Sequence, residues 1–158
     1  MDELFGTLYT MCGLENMYGT DLADYLWGVA SSVVTSNQFI GVGMATLLIT
    51  LVIVLVYYFV FGKLLQKPSW GNIFTWLIAL VVNSGLALLV GWQWVLSDLY
   101  QGKMVTVDEV TNATTDLPIG GFDCFMFGCT NAIVALIFFV IMTLIFKWFS
   151  RDYSRVPF

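Results

Sequence analysis

Three stretches of the chain contain no charged side chain: Tyr25–Gly62, Pro68–Ser97 and Cys124–Phe146. A helix needs about 20 apolar residues to cross a hydrocarbon core about 30 Å thick. The pattern therefore predicts transmembrane helices over residues 38–62, 73–97 and 124–147. The run from Leu47 to Val60 is rich in β-branched residues, but it is too long for a strand in so small a chain. A membrane barrel would need many short alternating segments, and these runs do not alternate. The predicted fold class is an all-α integral membrane protein with three transmembrane helices.

The remaining segments are short: an arm over residues 1–37, a loop over 63–72, a loop over 98–123 and a tail over 148–158. The arm reads as two short amphipathic helices broken by Gly13 and Gly19. Asp21 is a candidate cap for the second, whose apolar side is Leu22, Tyr25, Leu26, Val29 and Val33. Helices that lie on anionic lipid carry Lys or Arg on their polar side, and this arm has neither. Leu22, Tyr25, Leu26 and Val29 are therefore a candidate docking face for a partner, with passive lying on the outer surface as the plainer alternative. In the 98–123 loop, Met104–Val107 reads as a short strand, with turns at Leu117-Pro118 and Gly120-Gly121. Asn112-Ala113-Thr114 matches the N-glycosylation pattern.

Charge sets the orientation. Lys63 and Lys67 lie between the first two spans, Lys147, Arg151 and Arg155 follow the third, and Lys103 alone lies in the 98–123 loop. An orientation with the N-terminus outside and the C-terminus inside puts five of these inside, as the positive-inside rule requires. Composition agrees with a membrane: 59% of the 158 residues are hydrophobic, 11% are charged, and mean hydropathy is +0.84. Soluble domains carry about 25% charged residues. A net charge of −5 leaves no basic patch for nucleic acid. The expected location is an inner, plasma or organellar membrane, with the lipid bilayer and other membrane subunits as partners.

Candidate chemistry is sparse. The chain has no histidine, the commonest general base and metal ligand. Cys12, Cys124 and Cys129 all map to the outer side, where Cys12 could bridge to either of the others, although free thiols are the slightly favoured alternative. Three cysteines without histidine make an incomplete zinc set. No phosphate-binding glycine loop is present, and the spans hold no intramembrane charge. The sequence leads to no catalytic residues, no metal and no cofactor.

What the spans do hold is small and polar residues. Thr75, Ala79, Asn83, Ala87 and Gly91 recur every four positions, and Asn131 and Ala135 lie in span three. Such residues let helix backbones approach, and Asn bonds across helices. These seven form the predicted packing interface, with Asn83 expected to meet Asn131, Thr130 or Thr46. Span three from Val134 to Phe146 is expected to face lipid. The functional expectation is a non-catalytic subunit of a larger membrane assembly of secretion, conjugation, respiratory or photosynthetic type, in a hetero-oligomer in preference to a homo-oligomer. The alternatives are a homo-oligomeric pore lined by Asn83, Ser84, Thr130 and Asn131, and, behind it, a membrane-embedded enzyme.

Overall fold

The computed structural model describes residues 2–29, 36–59, 73–107 and 113–147. The Val33, Lys63, Lys67, Asn112 and C-terminal tail expectations lie outside them, as does the Cys12 side chain.

Among the described residues, six α-helices and one small hairpin follow in order: α1 (Asp2–Thr10), α2 (Glu15–Tyr18), α3 (Thr20–Trp27), α4 (Gln38–Leu55), α5 (Ile73–Tyr100), β1 (Val105–Val107), β2 (Thr114–Asp116) and α6 (Gly121–Lys147). A 3₁₀ turn over Met11–Gly13 joins α1 to α2. Among the described residues, three helical stretches are long and apolar enough to cross a membrane: Gln38–Phe59, Ile73–Tyr100 and Gly121–Phe146. The first begins where the Asn37 side chain accepts the Phe39 N–H at 3.0 Å, a standard N-cap. It widens into a π turn over residues 56–59. The second runs three residues past its predicted end, and the third starts three residues early. There the Asp123 carboxylate accepts the Gly120 N–H at 2.8 Å.

The spans are polar inside and apolar outside. Thr46, Thr50, Asn83, Thr130, Asn131 and Thr143 are at most 1% exposed, whereas Val52, Phe74, Ile78, Val81, Leu89 and Ile145 are exposed. Lipid tails solvate the apolar side chains but offer no partner to the polar ones, so the polar ones turn inward. The lower half of α6 departs from the expected lipid-facing stretch. Val134, Ala135, Phe139 and Thr143 are buried while Ile141, Leu144 and Ile145 are exposed. From the buried stripe Phe139 packs with Val54, Tyr57, Tyr58 and Trp76 in one cluster, because helical periodicity divides even an all-apolar run into two faces.

A larger cluster fills the other end. It joins Phe5, Tyr9, Tyr18, Leu22, Tyr25 and Leu26 of the arm to Phe39, Val42, Val95, Phe127 and Val134 of the spans. The hairpin adds Met104 and Ile119 to it. β1 and β2 pair antiparallel, with Thr106 opposite Thr115. The strand expected at Met104–Val107 thus starts at Val105, and its partner β2 is a small departure from an all-α chain.

The second arm helix starts earlier than its sequence suggests. Its N-cap is Gly19, without a side-chain cap, and Asp21 falls in the first turn. Gly28, at φ 78°, closes it in a left-handed conformation that glycine adopts without strain. Val29 therefore lies beyond the helix and off the face that carries Leu22, Tyr25 and Leu26.

Candidate functional site

The centre of the molecule is a polar lock in which one side chain of α6 is bonded to the arm and to both other spans. Tyr9 projects from α1 between α4 and α6, its ring stacked on Phe39 at 5.3 Å and on Phe127 at 5.6 Å. At its tip the phenol donates to the Asn131 side-chain oxygen. The same oxygen accepts the Thr46 hydroxyl at 2.9 Å, and Thr46 also reaches the Val42 carbonyl of its own helix at 2.9 Å. The Asn131 amide nitrogen donates to the Ala87 carbonyl on α5 at 2.7 Å. One side chain on α6 therefore ties α1, α4 and α5 together, and Tyr9, Thr46 and Asn131 are all fully buried.

A second lock closes the top. Tyr25 of α3 donates to the Asp98 carboxylate at 3.2 Å, and Lys103 bonds its other oxygen at 2.8 Å. Burial, and then the neighbouring Asp98 charge, push the Tyr25 phenol well above its ordinary range, so it remains a neutral donor at physiological pH. Tyr18 reaches back to the Tyr9 carbonyl at 3.3 Å, which joins the two halves of the arm.

Close backbone approach makes the locks possible. A Cβ added at Gly128 would lie 2.8 Å from the Leu88 carbonyl oxygen and 2.9 Å from the Trp92 Cβ. At Gly91 it would lie 2.8 Å from the Asn131 Cβ, and at Gly43 it would strike the Phe5 ring at 2.2 Å. Glycine at the first two positions lets α5 and α6 touch, and at the third it admits Phe5 against α4.

The structure brings Asn83, Ala87 and Gly91 of the four-residue row to α6, beside Asn131 and Ala135. Asn83 donates to the Ala135 carbonyl at 3.1 Å, not to the predicted side chains of Asn131, Thr130 or Thr46. Thr75 and Ala79 point elsewhere. They line an apolar groove of about 340 Å³ between α4 and α5, with Val52, Ile53, Val56, Tyr57, Ile78 and Val82. The Thr75 hydroxyl lies 3.5 Å from that of Tyr57. The divergence follows from helix geometry. A step of four residues overshoots one turn by about 40°, so four steps rotate the row by about 160°. Its two ends must meet different neighbours.

Leu22, Tyr25 and Leu26, expected to dock on a partner, are at most 1% exposed within this chain, and of that group Val29 alone is exposed. Their face meets the chain's own spans, which supply an apolar surface nearer than any partner could. Cys124 and Cys129 are free thiols. Among the described residues no group of His, Cys, Asp and Glu could hold a metal ion. Sequence reasoning missed Tyr9 and Asp98, and it offered Thr46 to Asn83 where the structure gives it to Asn131. Periodicity reports which face of a helix is buried, but not which distant segment covers it. No protein-family model, curated protein or solved structure matches the chain.

Proposed function

We propose that this chain is a non-catalytic integral-membrane subunit, with its N-terminus outside and its C-terminus inside, that packs into a larger hetero-oligomeric membrane assembly. The observation that carries the reading is the use of the polar side chains. A ring of copies would need Asn83, Ser84, Thr130 and Asn131 along a water path; Ser84 is half-buried, but Asn83, Thr130 and Asn131 are 0% exposed. These three are bonded to backbone carbonyls or, for Asn131, also to Tyr9 and Thr46. Opening a pore would mean breaking those bonds in lipid, where unmet polar groups cost several kcal/mol each. What remains outward along the spans is an apolar surface suited to lipid and to other helices. Beyond it stands an outer cap with exposed Asp21, Asp24 and Asp116, held rigidly by the two locks.

Native mass after mild detergent extraction tests the subunit role. The expected result is a particle containing other chains. A ring of identical copies would restore the pore, and a lone monomer would remove the subunit reading. Orientation is tested separately, by cysteines placed in a background without native ones. Thr114→Cys should react with an impermeant maleimide on intact cells, and Lys67→Cys should not; the reverse pattern would invert the topology.

A further inference from the structure

The arm does not simply sit above the spans. Tyr9 stacks on Phe39, while Phe5, one turn earlier in α1, lies against Gly43, one turn further along α4. Phe5 also meets Phe138, seven residues beyond Asn131 on α6, with ring centroids 6.4 Å apart. All three contacts give α1 the same direction: antiparallel to α4, with its N-terminal end running inward along the bundle. At about 1.5 Å per residue, Glu3 then stands roughly 10 Å inward of the start of α4. At that level α4 is wholly uncharged, from Phe39 onward.

Glu3 is exposed there, on one face of α1 with Leu4, Thr7 and Met11. With Leu8 these residues line an open groove of about 540 Å³. The α1 dipole favours an acidic residue in its first turn, but among the described residues no basic side chain pairs with the carboxylate. Ionisable residues at hydrocarbon depth are costly unless paired. This chain cannot supply the pair from a second copy. Its Lys103 is bonded to Asp98, and in sequence its other five basic residues come at or after the far ends of α4 and α6.

We propose that the Glu3–Leu4–Thr7–Met11 face of α1 is the docking site for a transmembrane helix of a different chain that carries a Lys or Arg in its outer half. The inference rests on the subunit reading above and names the surface and the chemistry of the contact. Leu4 and Met11 supply apolar area on either side of the charge, and a long basic side chain can lay its stem along them with its head at Glu3.

The test places a photoreactive benzoylphenylalanine at Leu4 of the full chain in its native membrane. The expected product joins this chain to a transmembrane peptide of another protein that holds a basic residue in its outer half. Glu3→Gln should lower its yield about tenfold or more. Glu3→Lys should abolish it, and exchanging the partner's basic residue for Glu should restore it. Cross-links to lipid alone, to a second copy, or to a segment without a basic residue would overturn the proposal, as would an unchanged yield with Glu3→Gln. If the extracted particle holds other chains while Leu4 labels only lipid, the subunit reading stands and this surface falls. A single-chain particle removes both.

Discussion

Replacing Asn131 tests whether the arm is locked to the spans. Asn131→Leu keeps nearly the same side-chain shape but removes the acceptor shared by Tyr9 and Thr46 and the donor to Ala87. Two of the three partners lose little. Thr46 retains the Val42 carbonyl, and the Ala87 carbonyl lies in mid-helix, where the backbone ladder serves it. Tyr9, fully buried, keeps only the Thr46 hydroxyl within reach, so the phenol is the partner that loses most. An orphaned buried donor costs about 1–3 kcal/mol, whereas deleting the phenol by Tyr9→Phe removes a bond worth about 0.5–1.5 kcal/mol net. Asn131→Leu should therefore loosen the arm more than Tyr9→Phe. The double variant should cost less than the sum, because once the phenol is gone nothing is orphaned. Hydrogen exchange of residues 2–27 in nanodiscs reads this directly, since about 1.4 kcal/mol is a tenfold change in protection. Additive effects, or arm amides already unprotected in the parent chain, would refute the lock.

Gly128→Ala should destabilise the α5–α6 pair by about 1–3 kcal/mol, since the new methyl group meets the Leu88 backbone, which cannot move aside; thermal unfolding in detergent measures it. Asn83→Leu should do less harm than Gly91→Leu. Asn83 has one bond, and among the described residues its side-chain oxygen has no partner, so leucine also removes an unmet acceptor. Gly43→Leu should expel Phe5 and raise proteolysis of the arm while leaving the spans inserted. Because the folded Tyr25 phenol titrates above its ordinary value of 10, the unfolded chain loses that proton first. The Tyr25–Asp98 contribution should therefore be intact below pH 10 and decline as pH rises through the folded value, a decline that Tyr25→Phe should lack.

The spans were legible because their signal is local. Twenty uncharged residues constrain a membrane segment whatever surrounds them, and the start of the first span, the end of the second and the start of the third fell within three residues of their predicted places. The α5–α6 contact was legible in part, since Ala87, Gly91 and Asn83 are the small and polar residues that a close crossing needs. Thr75 and Ala79 misled because a four-residue repeat looks like one stripe in sequence and winds around the helix in space. The arm was legible as amphipathic helix but not as to what it covers. Tyr9 and Asn131 lie 122 positions apart, and neither residue's neighbours encode the other.

That separation also orders the assembly of the molecule. A transmembrane helix satisfies its own backbone and can insert before it packs. The arm has no such independence: α2 has four residues and α3 eight, below the roughly 12–15 residues at which isolated helices become even marginal in water. Its aromatic side chains gain their burial only once Phe39, Phe127 and Asn131 stand together, so the arm must dock onto a bundle already formed. Docking then does two things at once. It covers the cleft between α4 and α6 with Phe5, Tyr9 and Tyr18, and it holds Glu3 near the uncharged N-terminal half of α4. The α3 face expected to recruit a partner is consumed in holding the arm down, and on α1 the exposed face, with Glu3 and Leu4, is the one proposed to meet another chain.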